Sequence, residues 1–334
     1  MEKHVPSVTI LILNFNGRRH LAENLESVLA TDYSNFEVIV VDNNSSDGSV
    51  EFLNEKYPDV RVLRYNRNYG FSRAYNKALS SVNTEYFALL NNDVSVEPGW
   101  LATLISYVEK DRVAALTPKM LLLRDRRRIN AAGGNCDVYG TGWNRGNSET
   151  DRGQYDKSEE TFYGNGGALL IRKQVWQEVG TFDEHYFMYG EDLDWCWRAR
   201  LRGYRIIYVP ESRVYHSWLG SKGHIFYFLE RHWLSNVLKN YTLQTLFKIM
   251  PRYIIIKLLK MIWVFKNAKP DNKFFVPKAI LWNLKHLKKT WEKRVKVQNL
   301  RDVSDSHIQR LMFKKSFELL LRFGNLSHPA LEKV

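Results

Sequence analysis

Through the first hundred residues, short apolar runs alternate with longer stretches whose apolar positions recur every third or fourth residue. "VTILIL" (8–13) is an unbroken apolar run of strand length, followed by the helix-like "RRHLAENLESVLA". "FEVIVVD" (36–42), "VRVLRY" (60–65) and "EYFALL" (85–90) repeat the strand pattern. Each is followed by helical periodicity: "DGSVEFLNEKY", with Ser46 or Asp47 as the expected N-cap, then "FSRAYNKALSS", then "PGWLATLISYVEK" with Pro98 near its first turn. Strands that are apolar on both sides predict an α/β fold, a mostly parallel sheet with helices on both faces.

The strands end on polar residues. Strand one runs into Asn14 and Asn16, strand two into Asp42, Asn43 and Asn44, and strand four into Asn91, Asn92 and Asp93. In a parallel sheet these carboxyl ends share one edge, where open α/β sheets bind ligands. Asn and Asp are also ordinary turn formers, so the signal is their recurrence at three strand ends. No G-x-G-x-x-G follows strand one, which disfavours a dinucleotide site.

Beyond residue 118 the periodicity lapses. Residues 118–160 read as irregular and rich in Gly and Asn; Tyr139 and Trp143 there suit either loop packing or a platform for a flat sugar face. "GNGGALLIRK" (164–173) reads as a glycine-rich turn into a strand, its glycines allowing close approach of a ligand or of a neighbouring helix. Glu191, Asp192 and Asp194 then open a run of helical spacing with Leu193, Trp197 and Leu201 as one apolar stripe, stopped by Gly203 before the strand "YRIIYV". Acids suit the first turn of a helix, and Asp194 with Arg198 has the i, i+4 spacing of a solvated pair.

Of 334 residues, 44% are hydrophobic and 13% aromatic, enough for a substantial core. Cys136 and Cys196 form neither a disulfide framework nor a metal-binding doublet, and the N-terminal apolar run is too short for a signal peptide. The expected location is cytoplasmic. Charge changes the picture more. The net +13 divides into −2 over residues 1–224 and +15 over 225–334, marking a boundary near His224 and asking for an acidic partner.

"VTILILNFNG", "VIVVDNNSSDGS", "NRNYGFSRAYNKAL", "YFALLNNDV", "GNGGALLIRK", "FDEHYFMYGEDLDWCWRARLRGY" and "VYHSWLGS" occur in order across residues 8–221. Together they resemble the family-2 inverting glycosyltransferases of the GT-A fold, nearest the bacterial rhamnosyltransferase-like branch. The resemblance implies transfer of a sugar from a nucleotide-sugar donor to a hydroxyl of a saccharide acceptor. The expected donor is dTDP-L-rhamnose, with another UDP- or dTDP-sugar as the alternative, and the expected setting is bacterial surface polysaccharide assembly. It places Asp42 at the donor's base with Asn14, Phe15 and Asn44 beside it. Arg73 faces the donor or is a surface charge on its helix. "NND" (91–93) takes the place of a D-x-D motif. Asn91 stands where the first aspartate contacts ribose, Asn92 lies beside it, and Asp93 holds divalent Mg²⁺ or Mn²⁺ with His216. Having one acid where the motif often has two weakens the attraction for a hard cation. Asp192 is the implied general base, kept ionised by the helix dipole. Glu191 orients the acceptor hydroxyl or the base. Trp143 belongs to the substrate pocket.

In the basic region, "LFKIMPRYIIIKLLKMIWVFK" is apolar but cut by Arg252, Lys257 and Lys260, so no uncharged stretch spans a bilayer. With Trp263 and Phe265, and with Trp282 and Trp291 in the next run, it reads as helices lying in a membrane interface or as a helical domain with a solvated basic face. The expectation is a peripheral protein at the inner face of the cell membrane, where a lipid-linked acceptor would be met. Basic and aromatic residues also interleave in nucleic-acid binders, but no such module is recognisable and the polar strand ends would go unused. A catalytically silent binding protein is the remaining alternative.

Overall fold

The computed structural model describes residues 4–217, 224–268 and 272–314; residues 218–221 of "VYHSWLGS" and 315–334 of the basic region lie outside them. The predicted alternation is present as β1 (Val8–Asn14), α1 (Arg18–Leu29), β2 (Phe36–Asp42), α2 (Ser49–Lys56), β3 (Arg61–Arg64), α3 (Gly70–Leu79) and β4 (Tyr86–Asn91). There follow β5 (Val94–Val96), α4 (Trp100–Ile105), β6 (Val113–Leu122), β7 (Asp125–Ala131), β8 (Gly134–Cys136), β9 (Gly142–Asn144), β10 (Glu159–Glu160) and β11 (Ala168–Arg172). Next come α5 (Lys173–Val179), α6 (Glu191–Leu201) and β12 (Arg205–His216). The chain then becomes helical: α7 (His224–Asn240), α8 (Leu243–Asn267), α9 (Phe275–Lys285), α10 (Leu287–Asn299) and α11 (Asp305–Gln309).

The sheet order is β10-β12-β6-β11-β4-β1-β2-β3, with β5 on β12 and β7 on β6. β4, β1, β2 and β3 run parallel, and their register sets Asn14 opposite Asp42 and Leu13 opposite Asn91. The polar strand ends therefore share one edge, as their sequence predicts. After β4 the chain turns through Asn92 and Asp93 into β5, whose Val94 pairs with His216 of β12. Two residues more than a hundred positions apart are thereby brought together at the same edge.

The structure corrects several expectations. Residues 118–160 are not irregular. β6 continues to Leu122 between β11 and β12, and its Lys119, which interrupts the apolar pattern, is fully buried against Asp151 and Asp156. The N-cap position of α2 is the left-handed Gly48, not Ser46 or Asp47. The Asp47 carboxylate one residue earlier nevertheless accepts the first N–H of α2, from Ser49, at 3.2 Å, and with its other oxygen the first N–H of α1, from Arg18, at 2.8 Å. α4 stops at Ile105. α6 is buried all round, Trp195, Cys196 and Ala199 included, because the helices from α7 onward cover the face that the sheet does not. Asp194 and Arg198 are accordingly no solvated pair. Both are buried, 3.0 Å apart, and Lys239 of α7 joins them at 2.9 Å.

The change of charge at residue 224 is not a break in packing. Trp233 and Val237 of α7, Tyr241 just after it and Val297 of α10 share one apolar core with Trp195 and Trp197 of α6. Cys136 and Cys196 are buried free thiols within it.

Candidate active site

A cleft of about 650 Å³ opens over the polar edge of the sheet. Its lining is rich in amides, Asn43, Asn68, Asn91, Asn92, Asn130 and Asn165 among them, and in aromatic rings, including Trp143, Phe187 and Tyr189 and, from the C-terminal helices, Trp233, Trp263 and Phe275. Asp93, His216, Glu191 and Asp192 are its acidic and basic lining residues together with Lys260.

Each strand end reaches the cleft differently. Asp42 is fully buried, one oxygen taking the Asn14 amide at 3.1 Å and the other the Ser45 N–H at 3.0 Å. Asn43, the residue just after β2, lines the cleft, and Asp42 does not. Asn43 accepts the Tyr69 N–H at 2.8 Å and donates to Asn68 at 2.8 Å, tying β2 to the start of α3. Asn14 is buried too, and Asn92 donates to its oxygen at 2.7 Å. A Cβ on Gly17 would sit 2.0 Å from that Asn92 nitrogen, so glycine is required for the two strand ends to meet. Phe15 is exposed at the cleft. Asn44, exposed with a left-handed φ of 70°, lies outside its lining. Arg73 is also outside the lining, half-exposed with its Nε 3.5 Å from Glu184.

Asp93 and His216 meet at 3.2 Å, the distance from a carboxylate oxygen to Nε2. Nδ1 of His216 lies 3.0 Å from Oδ1 of Asn130, an oxygen that can only accept, so the Nδ1 proton is committed there. A neutral ring then turns its Nε2 lone pair toward the carboxylate, and two acceptors at this distance repel unless positive charge lies with them. A protonated imidazole or a metal ion meets that requirement, and a second partner fixing the ring is the usual support of a metal-ligating histidine. Burial resists ionisation of Asp93, but the hydrogen bond and charge of His216 outweigh it and hold the carboxyl below its ordinary value. Among the described residues no three His, Cys, Asp or Glu side chains converge. The pair fits a hard divalent cation only if a substrate or water supplies the remaining ligands.

Across the cleft, Tyr189 (φ 68°) and Gly190 (φ 85°) are both left-handed and turn the chain into α6. Asp192 in its first turn accepts the Gly166 N–H at 3.0 Å and the Leu193 N–H at 2.7 Å. The glycine-rich loop thus touches a carboxylate as well as a ring: a Cβ on Gly166 would lie 3.0 Å from Phe71 and 3.6 Å from Asp192. Burial raises the Asp192 carboxyl above its ordinary value despite these N–H donors, so the helix terminus does not dominate as its sequence position suggests. Glu191 is buried, and one of its oxygens has no hydrogen-bond partner among the described residues. Burial first, then the charge of Asp192, pushes its carboxyl well above the ordinary range.

A folded-state pKa above the unfolded 4.5 favours folding fully below about pH 4.5, and that contribution is lost as pH rises through the folded value. Glu191→Gln mimics the protonated acid permanently. It is therefore expected to raise the melting temperature at about pH 8 and to leave it unchanged at about pH 4. Equal effects at both pH values in thermal unfolding would contradict a neutral Glu191.

The family model for glycosyl transferase family 2 matches residues 9–180, half of the sequence and the segment that builds this cleft's sheet edge. The chain belongs to glycosyl transferase family 2. One similar relative is the N-acetylglucosaminyl-diphospho-decaprenol L-rhamnosyltransferase of Mycobacterium tuberculosis, 28% identical over 239 residues that cover 64% of this chain and 77% of the relative. Among solved structures, GalNAc-T7 with UDP, GalNAc and Mn²⁺ superposes with a TM-score of 0.59 at 17% identity, over 85% of this chain and 58% of that one. The mannosyltransferase PcManGT of Pyrobaculum calidifontis, in complex with GDP-Man and Mn²⁺, gives 0.54 at 15% identity, over 89% and 86%. At such identities the likeness establishes the fold, which is GT-A with a helical C-terminal region.

Cleft residues that the sequence does not single out include Asn68, two positions before Gly70, and Asn165 and Tyr189, each next to a glycine, all within quoted motifs. Trp233 and Phe275 carry no local signal, since only long-range packing brings them to the cleft.

Proposed function

We propose that this family-2 glycosyltransferase is an inverting enzyme that moves a sugar from a nucleotide diphosphate to a saccharide hydroxyl, with Asp192 as general base. The observation that carries this reading is a partly buried carboxylate, anchored by two backbone N–H groups, in the same cleft as the Asp93–His216 pair. The acceptor oxygen bonds to the anomeric carbon as its proton passes to Asp192, and the opposite bond to the diphosphate breaks with its electron pair. A raised pKa brings Asp192 closer to the operating pH, which improves a general base. Glu191, neutral, donates a hydrogen bond that orients the acceptor. Asp93 and His216 are the residues that would hold Mg²⁺ or Mn²⁺, whose charge offsets that of the departing diphosphate. The amides take the nucleotide sugar, Asn91 and Asn92 included. The aromatic rings with Trp143 take the acceptor ring, because sugar faces pack on flat apolar surfaces.

The name of the relative from M. tuberculosis supports L-rhamnose as the sugar and a lipid-linked diphosphate sugar as the acceptor; dTDP-L-rhamnose is the donor proposed with them. A thermal-shift screen of nucleotide sugars with and without Mn²⁺ tests this. A donor at about 100 times its Kd adds about 2.7 kcal/mol, so dTDP-rhamnose with Mn²⁺ is expected to give the largest rise. A larger rise with a different nucleotide sugar would overturn the choice of donor.

A membrane-bound acceptor suits the helices behind the cleft. No helix among the described residues is long and apolar enough to cross a bilayer. α8 nevertheless shows its apolar side outward: Ile254, Ile255, Leu258, Leu259, Ile262 and Phe265 are about half exposed, and Phe247 is 80% exposed. Lys257 and Lys260, expected beside them at a surface, turn inward onto Glu230. Lys248, Arg252, Lys266 and Lys278 remain exposed at the margins. An apolar face rimmed by cations matches an anionic lipid surface at the cytoplasmic leaflet. The protein is expected to sediment with vesicles containing phosphatidylglycerol and to lose this in Leu258→Asp/Ile262→Asp. Retention by the double variant would remove α8 from the docking surface.

A further inference from the structure

Of the two consecutive left-handed residues before Glu191, Gly190 is tied to α6, its carbonyl accepting the Asp194 N–H at 3.0 Å. Tyr189 is a side-chain-bearing residue at φ 68°, a conformation that needs outside support. That support comes from α7. Nδ1 of His232 contacts the Tyr189 carbonyl, an acceptor, so Nδ1 carries the proton. Nε2 is then a lone pair, and it accepts from Nε and Nη2 of Arg231 at 3.0 and 2.7 Å. The ring is fully buried and stacks on Tyr186 with centroids 4.0 Å apart and planes 9° from parallel. Asn236, one helical turn on, reaches the Gly190 carbonyl at 3.4 Å and accepts from Tyr186 at 2.7 Å. Arg231 is itself fixed by the His185 carbonyl at 3.1 Å and by the face of Trp282, 4.3 Å from its guanidinium.

We infer that His232 and Asn236 are positioning residues for the reaction, clamping the Tyr189 and Gly190 carbonyls so that α6 presents Glu191 and Asp192 at the cleft. This rests on the reading of Asp192 as base and extends it to the C-terminal helices, which hold the catalytic turn as well as walling the cleft. Burial, then the Arg231 charge, keeps the His232 imidazole neutral, with its pKa well below the ordinary value. The clamp is accordingly a fixed one and no proton switch.

Two nearly isosteric substitutions separate the clamp from simple core filling. In His232→Asn the amide nitrogen takes the place of Nδ1 and keeps the bond to Tyr189. His232→Gln keeps a partner for Arg231 and loses the Tyr189 bond. Misplacement of a base by about 1 Å costs on the order of 100-fold. The expected result is therefore kcat about 100-fold lower in His232→Gln than in His232→Asn, with donor affinity alike in both. Amide exchange at residues 189–194 should be faster in His232→Gln alone. Equal kcat in the two variants, or kcat and donor affinity falling together, would overturn the inference. Should neither fold, Asn236→Ala replaces them with the same expected split. Turnover of the wild type and its loss in Asp192→Asn test the underlying reading separately, and the exchange comparison stands without turnover.

Discussion

Asp192→Asn is expected to lower kcat by about 10³-fold while leaving nucleotide-sugar affinity essentially unchanged. An amide keeps the shape of the carboxylate, but the Gly166 and Leu193 N–H groups reach different oxygens and the single amide oxygen can accept only one of them, so unchanged donor affinity is the check that the turn holds. It cannot take a proton from an attacking hydroxyl. Because only transition-state interactions are lost, kcat and kcat/KM should fall together. The wild-type kcat should also fall as pH is lowered through the raised carboxyl value of Asp192, since the protonated acid is inactive as a base. Steady-state kinetics with calorimetric donor titration checks both points. A variant with near-normal kcat would remove Asp192 from the chemistry, and loss of donor binding alone would make it a binding residue.

The second large effect concerns the other side of the cleft. Asp93→Ala removes the single acid of "NND" and leaves Asn130 as the side-chain partner of His216 among the described residues. If this pair holds a divalent ion against the diphosphate, kcat/KM should fall on the order of 100-fold or more, and added Mn²⁺ should no longer tighten donor binding. His216→Ala should fall less, because the carboxylate supplies the charge. Chelation should reproduce the loss in the wild type and change nothing further in Asp93→Ala. Full activity in the presence of chelator would mean that the Asp93–His216 contact is an ordinary ion pair and that the diphosphate is stabilised elsewhere.

Much of this was legible in the sequence, for reasons that also mark its limits. β1, β2 and β4 are apolar on both sides, so their strand character and shared polar edge follow from local pattern. The glycines of "GNGG" and the acids of "GED" mark a turn and a helix start, and the structure joins them through the Gly166–Asp192 bond. Lys119 hid β6, because a buried lysine satisfied by two distant aspartates reads as a surface residue. Asp42 and Asn43 differ by one position, and contacts with the distant Asn68–Gly70 segment place Asn43 at the cleft. Lys257 and Lys260 look like interfacial lysines until Glu230, on another helix, is seen to draw them inward. Trp233, Trp263 and His232 reach the site through helix packing alone, which no local window contains.

An inverting displacement assisted by Asp192 leaves its mark on the stereochemistry of the product. A donor sugar of defined anomeric configuration would be transferred by the wild type and the product followed by NMR before it can equilibrate. The expected product carries a glycosidic bond of the configuration opposite to that in the donor, and Asp192→Asn is expected to form almost none of it. A product that retains the donor's configuration would contradict it.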